Sequence, residues 1–337
     1  MNTVRIGVIG YGYWGPNLVR NFFAAQDCTV KAVADGRSER LALLAKIFPT
    51  VAGVKDADDI IKDNDIDAVV VATSVFSHYT LAKRALEHGK HVLIEKPMTA
   101  SVAEANELIE LAAKKGLTLM VDHTFLYTGA VQKMKEIIEE GAIGTPRYFD
   151  STRINLGLFQ PDINVLWDLA PHDLSILTYL VDGEPCSINA TGISHTRNQI
   201  ENIAYMTVNY DSDFIAHFNC SWTSPVKVRQ TLIGGDKKMI VYNDLEPSEK
   251  VKIYDTGYNH KTEEDKTRIM VDYRTGDVYL PKVKLQEALA GVANDFVQSI
   301  IHKRQPVANG ILGMKVVQIL EASQESIKNK GKEVKIK

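Results

Sequence analysis

Cysteine is scarce in this sequence. Its three residues, Cys28, Cys186 and Cys220, are odd in number and widely spaced, which supports neither a disulfide framework nor a zinc site; buried thiols are the expectation. No other Cys, His or carboxylate spacing resembles a metal site, so none is expected. No run approaches the roughly 20 apolar residues that a membrane helix needs. The N-terminus, MNTVRIGVIGYG, lacks a basic segment followed by an apolar stretch and a small-residue cleavage site. No signal peptide is therefore expected, and a cytoplasmic location is the default. An excess of one charge is also missing. Lys and Arg number 39 against 42 Asp and Glu, a net charge of -3, which offers no bulk basicity to nucleic acid or an anionic membrane. Internal repeats and low-complexity linkers are absent.

What is present is ordinary globular composition, 45% hydrophobic and 24% charged over 337 residues, a length that suggests two domains. The first 123 residues alternate strand-like and helix-like patterns. Short apolar runs at Val4 to Ile9, Val30 to Ala34, Ala68 to Ala72, His91 to Ile94 and Leu117 to Val121 read as strands, and AVVVA is apolar at every position, as a strand covered on both faces should be. Helical stretches lie between them, around 15–25, 38–47, 77–88 and 101–114. Strand, helix, strand, helix in this order implies an α/β fold with a doubly wound parallel sheet. We assign 1–123 to a dinucleotide-binding domain.

The texture then changes. A helix near 129–140 and another following Pro171 precede a strand-rich region. Ile203 to Tyr210 and Asp213 to Trp222 read as a hairpin, and Val228 to Gly235 with Lys238 to Tyr242 as the next pair. Segment 243–280 is polar and resists assignment, and helices near 285–302 and 311–328 follow. These features imply an α+β domain over 124–337 with a large, mostly antiparallel open sheet, assigned to substrate binding and oligomerisation.

Gly10-Tyr11-Gly12-Tyr13-Trp14-Gly15 fits G-x-G-x-x-G. Alone the match is weak; here it follows a predicted strand and opens a predicted helix. Gly10 permits the tight turn, Gly12 leaves room for a pyrophosphate, and Gly15 lets helix pack on strand. The phosphates would meet free N–H groups at the positive helix end. Asp35, 25 residues after Gly10, can bond the adenosine ribose hydroxyls and would repel a 2′-phosphate, which favours NAD over NADP. Arg37 and Arg40 weaken that preference. The plainer alternative is a glycine-rich turn with Asp35 as a helix cap.

GKHVLIEKPM, within VVATSVFSHYTLAKRALEHGKHVLIEKP, and GVIGYGYWG at the start resemble the Gfo/Idh/MocA family of glucose-fructose oxidoreductases and inositol dehydrogenases. VLWDLAPHDLSIL resembles that family's Asp-x-x-x-His segment, here Asp168 and His172. The likeness covers most of the chain and is weakest over 243–280. Many members carry glycines where this chain has Leu166-Trp167 and Pro171, which places it in a subgroup and limits transfer of substrate identity. The resemblance implies an oxidoreductase moving a hydride between nicotinamide and a sugar alcohol. In the subgroup it points to C3 of a UDP-linked N-acetyl amino sugar. It also implies a cis Lys96-Pro97 bond and a homodimer or homotetramer. Alternatives are a dehydrogenase of a free pyranose or inositol, and a catalytically silent NAD-binding regulator, as some relatives are.

Residue chemistry adds roles. Lys96 follows a strand's carboxyl end, where ligands of open α/β sheets collect, with Glu95 before it; it can polarise an alcohol or carbonyl oxygen, or simply be a surface charge paired with Glu95. His172 titrates near neutral pH and is the better general base. Asp168, four residues earlier, can orient it or bind a hydroxyl; it can equally be a helix N-cap, with Pro171 in the first turn. Asp173 reads as a solvated charge. Thr73 and Ser74 lie where the cofactor should pass, and His78 opens the next helix; Tyr13 and Trp14 flank the dinucleotide, although Trp14 reads equally as a helix-packing residue. His123, Tyr127, Arg153 and Asn155 are substrate-side candidates, Arg153 for a phosphate or carboxylate by bidentate donation; a surface arginine on a strand is as good a reading. Lys227 and Arg229 are equally ambiguous, and His195, His217, His260 and His302 have no partner pattern.

Overall fold

In the computed structural model, described for residues 3–157, 159–259 and 272–336, the chain forms two units. One comprises Met1–Thr128 with Gln286–Gln318, the other Gly129–Leu285 with Ile319–Lys337. The first holds a six-stranded parallel sheet: β1 (Val4–Ile9), β2 (Cys28–Ala34), β3 (Ala52–Val54), β4 (Ala68–Val71), β5 (His91–Glu95) and β6 (Leu119–Asp122), in the order β3-β2-β1-β4-β5-β6. Helices α1 (Gly15–Ala24), α2 (Ser38–Ile47), α3 (Asp58–Ile61), α4 (Val75–Glu87) and α5 (Val102–Lys115) connect them. All four residues of β4 are buried, as its unbroken apolar run predicts. Helix α5 is bounded by local chemistry. Ser101 accepts a hydrogen bond from the Glu104 N–H, and Gly116 ends the helix in the left-handed region at φ 65°, where a Cβ would be strained. The edge strand β3 is absent from the sequence reading. It is three residues long with Gly53 at its centre, too short for a period-2 signal. Strand order reverses between β1 and β4, the point at which such sheets form a ligand crevice.

The second unit begins with α6 (Gly129–Glu139), β7 (Pro146–Leu156) and α7 (Val165–Leu180). Strands β8 (Pro185–Ile193), β9 (Ile203–Tyr210), β10 (Ile215–Ser221), β11 (Thr223–Gly235), β12 (Met239–Asn243) and β13 (Val251–Tyr254) follow. A small ribbon of β14 (Gly257–Asn259) and β15 (Asp272–Arg274), then β16 (Val278–Tyr279) and β17 (Val334–Lys335), complete the strands among the described residues. The large sheet has nine strands, ordered β16-β13-β12-β11-β7-β10-β9-β8-β17, and only β7 and β10 pair in parallel. The mostly antiparallel open sheet is as expected. Inward residues alternate with outward ones: Phe149, Ser151 and Arg153 on β7 and Ala216, Phe218 and Cys220 on β10 are buried on the face where α7 packs.

Two local expectations are corrected. Helix α7 starts at Val165, not after Pro171, because the Asn164 side chain accepts from Leu166 N and Trp167 N and so caps it there. Pro171 then lies buried inside the helix, an interior proline that costs roughly 3 kcal/mol by itself and is retained in a helix whose apolar side chains are buried along most of its length. Strand β11 begins at Thr223, five residues before Val228, with an irregular register between those two residues. Of the cysteines, Cys220 is buried, while Cys28 and Cys186 are half-buried and free. His260 lies outside the described residues.

The chain closes with α8 (Ala288–His302) and α9 (Gly310–Lys328). No helix among the described residues is long and apolar enough to cross a membrane. Helix α8 belongs to the first unit and buries Leu289, Val292, Ala293, Phe296, Val297 and Ile300, a helical stripe that packs on α1. The centre of this packing is an edge-to-face pair, Phe22 and Phe296, with ring centroids 6.1 Å apart and both side chains fully buried. Phe296→Ala is expected to cost about 3–5 kcal/mol through the lost burial and the cavity left behind. The measurement is the urea midpoint at unchanged slope, and a shift worth less than about 1 kcal/mol would refute this packing role.

Candidate active site

The glycine turn after β1 is shaped by close approach. Gly10 has φ +102°, and a Cβ there would lie 2.4 Å from the Ala72 carbonyl oxygen; a Cβ on Gly15 would lie 2.3 Å from the Gly10 carbonyl oxygen. Neither position admits a side chain. Gly12 differs, since its Cβ would meet nothing nearer than Arg37 Nη2 at 3.5 Å. The fold itself does not demand glycine there; a ligand lying against the backbone would. Helix α1 starts without a side-chain cap and without an acidic residue in its first turn; Pro16 has no N–H, and the Asn17 and Leu18 N–H groups donate to the Trp14 carbonyl, so what the helix offers a phosphate is chiefly its positive end. Tyr13 and Trp14 stack at 6.3 Å with 16° between ring planes, and Tyr13 is 86% exposed.

Asp35 follows β2 and is buried. It accepts from the Tyr11 N–H at 2.8 Å and from the Arg37 N–H at 3.0 Å. The Arg37 guanidinium reaches it twice, Nε at 2.9 Å and Nη2 at 2.8 Å, the fork geometry of strong charge-assisted pairing. These bonds, Arg37 foremost, hold the Asp35 carboxyl down at about 2. Arg37 is half exposed and can swing aside, so a ribose would compete with it for the carboxylate. These residues fit a dinucleotide: an open glycine, an uncapped helix start and an ionised acid at the end of β2.

The carboxyl ends of β4, β5 and β6 gather the remaining polar groups of this unit. The Lys96-Pro97 peptide is cis, as the family resemblance implies. His78 lies in the first turn of α4 rather than opening it, and is buried. Its Nδ1 is 2.9 Å from the Pro97 carbonyl oxygen and its Nε2 3.1 Å from that of Thr73, so it links two loops. Thr73 Oγ1 accepts from Ser77 Oγ at 2.7 Å, and Ser74 is exposed. Glu95 is buried and accepts from the Lys96 N–H at 3.2 Å. His123 is buried with no hydrogen bond at either ring nitrogen. Burial, with the nearby charge of Lys96 second, pushes it down to about 3, so it is a neutral imidazole at physiological pH. Tyr127 is turned away from a substrate role. Its hydroxyl donates to Asp295 at 2.6 Å and accepts from Ala308 N at 3.3 Å, anchoring the return of the chain after α8.

In the second unit, Asp168 and His172 stand one turn apart on α7 and share a face. Asp168 is not the cap, which is Asn164; its Oδ2 accepts from Trp222 Nε1 at 3.0 Å. His172 is half-buried. Asp173, expected to be solvated, is buried and receives the Arg153 guanidinium through Nε and Nη2, both at 2.7 Å. Arg153 is itself buried and so is committed to this pair rather than presented to a ligand. β7 alternation places Asn155 on the same face as Arg153, half-buried. Lys227 is exposed and Arg229 pairs with Asp244 at 3.2 Å. His195 and His302 are exposed, and His217 pairs with Asp150 at 3.3 Å. Among the described residues no His, Cys, Asp and Glu group could hold a metal ion. Two contributors escaped the sequence reading. Trp222 carries no local signal of its bond to Asp168, whereas Asp122, an acid ending a parallel strand, carries the same positional signal that singled out Lys96.

Residues 4–123 match a family model described as oxidoreductase family, NAD-binding Rossmann fold, and residues 131–241 match the GFO/IDH/MocA C-terminal domain. The UDP-N-acetylglucosamine 3-dehydrogenase of Acidithiobacillus ferrooxidans is 32% identical over 218 residues, 62% of this chain and 64% of that protein. The myo-inositol 2-dehydrogenase of Thermotoga maritima is 28% identical over 194 residues, 56% of this chain and 58% of that protein. The match thus spans less than two thirds of either relative. Among solved structures, the Acidithiobacillus ferrooxidans enzyme shares the fold with a TM-score of 0.82 at 23% identity, covering 98% of this chain and 100% of that one. A levoglucosan dehydrogenase complexed with NADH and levoglucosan gives 0.82 at 22% identity, covering 99% of each chain.

The Asp35 pair makes a pH-dependent prediction. A carboxyl depressed to about 2 in the folded state contributes stability above its unfolded value near 4 and loses it as pH falls towards 2. Asp35→Asn should therefore lower the melting temperature at neutral pH, and the gap to wild type should narrow over that acid range. A gap that stays constant with pH would rule out the ion pair.

Proposed function

The chain belongs to the GFO/IDH/MocA oxidoreductase family, and from that premise we propose that it is a cytoplasmic NAD-dependent dehydrogenase moving a hydride between nicotinamide and a secondary alcohol of a sugar. The observation that carries the cofactor reading is the glycine turn, closed to side chains at Gly10 and Gly15 but open at Gly12. Gly10, Gly12 and Gly15 admit the pyrophosphate, and Asp35 receives the adenosine ribose in place of Arg37. Asp35 also favours NAD over NADP. Tyr13, Trp14, Thr73 and Ser74 line the path, while His78 and Glu95 shape it from behind. Nicotinamide, when bound, supplies the hydride chemistry. The chain's own residues handle the proton and the oxygen. We assign Lys96 to polarise the alcohol oxygen and His172 to take its proton and return it in the reverse direction. Asp168, held by Trp222, orients His172. His123 and Asn155 remain substrate-side candidates. We retain the division of labour between a dinucleotide-binding 1–123 and a substrate-binding and oligomerising 124–337. Exposed Leu156, Ile193, Tyr205 and Ile215 on the large sheet support a homodimer or homotetramer through it.

For the substrate we propose first the C3 hydroxyl of a UDP-linked N-acetyl amino sugar, on the likeness to the Acidithiobacillus ferrooxidans enzyme. The burial of Arg153 against Asp173 favours a second reading, a free pyranose or inositol, because it removes the arginine best suited to a substrate phosphate. The retained Lys96, Asp168 and His172 weigh against a silent regulator.

Absorbance of reduced nicotinamide, recorded with NAD and a panel of UDP-N-acetylglucosamine, its uronate, glucose and myo-inositol, separates these. A signal only with UDP sugars supports the first; one only with free polyols moves the protein to the second. Whichever substrate turns over, His172→Ala should lower kcat by about 10²–10⁴-fold with NAD binding retained. A fully active variant would remove His172 as the base.

A further inference from the structure

Glu95 and Asp122 end β5 and β6 and are register partners across that parallel pair, so their side chains leave the same face side by side. Both are buried, at 8% and 1% exposure, and they lie within hydrogen-bonding reach of each other. Each carboxyl has one oxygen engaged. Glu95 Oε2 accepts from the Lys96 N–H at 3.2 Å, and Asp122 Oδ1 accepts from Thr124 Oγ1 at 2.7 Å. The other two oxygens, Glu95 Oε1 and Asp122 Oδ2, are buried without a hydrogen-bond partner.

Two ionised carboxylates so placed would repel each other and face a desolvation penalty twice over. Two bare acceptor oxygens would also go unsatisfied, a further cost for buried polar atoms. One proton between them removes the repulsion, halves the desolvation penalty and gives both bare oxygens a partner. We propose that Glu95 and Asp122 share a single proton and act as one monoanionic unit, the positioning residues for Lys96.

Burial, and then the charge of Asp122, pushes the Glu95 carboxyl well up, and burial also raises Asp122. The proton therefore belongs to the pair, with each carboxyl oxygen that lacks another partner facing it. The groups of this unit that face the pair are Lys96 beside Glu95, and Trp14, Thr124 and Tyr127 around Asp122. Lys96 is the one cation among them, so the proton-sharing pair balances it charge for charge. Loss of the proton sets two negative charges beside the Lys96 ammonium. The side chain is then drawn towards the sheet edge and away from an alcohol oxygen. The functional consequence rests on the role proposed for Lys96; the shared proton does not.

Two measurements on cofactor-free protein test the proton itself. At neutral pH, where surface carboxyls are ionised, the infrared spectrum should contain the carbonyl stretch of a protonated carboxylic acid, and its absence from wild type overturns the proposal. Glu95→Gln should abolish that band, and a band that survives belongs to another group and overturns the assignment. The second is stability against pH. A carboxyl raised in the folded state contributes stability at low pH that is lost as pH rises through its folded value. The melting temperature of Glu95→Gln relative to wild type should therefore climb as pH rises from the unfolded carboxyl's value of about 4 towards the raised folded one; a flat difference overturns the shared proton. With whichever sugar turns over, the alkaline limb of kcat/KM should move to higher pH in Glu95→Gln, because glutamine donates as the protonated acid does at every pH. An unmoved limb with both proton tests positive removes the positioning role. If no sugar turns over, the function proposed above fails while the infrared and melting results still decide the pair.

Discussion

The turn between β1 and α1 constrains everything around it in the first unit. Gly10 lies so close to the Ala72 carbonyl, and Gly15 so close to that of Gly10, that strand, turn and helix can be assembled in only one way. The consequence is an α1 N-terminus brought to the β1/β4 reversal of strand order with its first N–H groups uncapped by side chains. A helix start with no acidic or capping side chain keeps its positive end open, which suits it to receive an anion. Asp35 obeys the same logic at the end of β2, ionised and held by Arg37 until something displaces it.

The second unit depends on a different interaction. Arg153 on β7 and Asp173 on α7 form a two-pronged pair with both side chains nearly inaccessible. Burying two charges gains little net stability over an apolar pair of equal volume, but breaking it from one side costs about 3–5 kcal/mol because the survivor is stranded. The pair therefore acts more as a registration device than as a reservoir of stability. It fixes the rotation of α7 on the sheet. That rotation decides which way Asp168 and His172, both shortly before Asp173 on the same helix, present themselves. The bond from Trp222 to Asp168 adds a second fixed point one turn away.

Polar burial is concentrated where the parallel strands end. Glu95, Asp122, His123 and His78 are all buried at the carboxyl edge of β4, β5 and β6 or in the helix turn that follows. Each is a residue type seldom buried without a partner. Some of their needs are met by backbone carbonyls, as for His78, and some are left open, as for His123. An edge so furnished is poised electrostatically rather than optimised for packing, which is the usual compromise at functional sites.

The sequence by itself determined the fold class, most element positions and the cofactor loop, because these rest on local signals. Short, β-branched unbroken apolar runs such as AVVV fit doubly covered strands. A glycine triplet opening a helix has one common geometric use. Tertiary structure decided the partners of charged groups. Nothing near Arg153 or Asp173 in sequence announces that they face each other 20 positions apart, so Arg153 reads equally as a substrate ligand or a surface arginine, and Asp173 as solvated. Asn164 rather than Pro171 fixed the start of α7, since a good cap outweighs a tolerated proline. Tyr127 was drawn from substrate to scaffold by Asp295, which lies 168 residues away. The physical reason is common to all three. Apolar periodicity is written in neighbouring residues, whereas a buried charge or hydroxyl must be satisfied by whatever the folded chain brings to it.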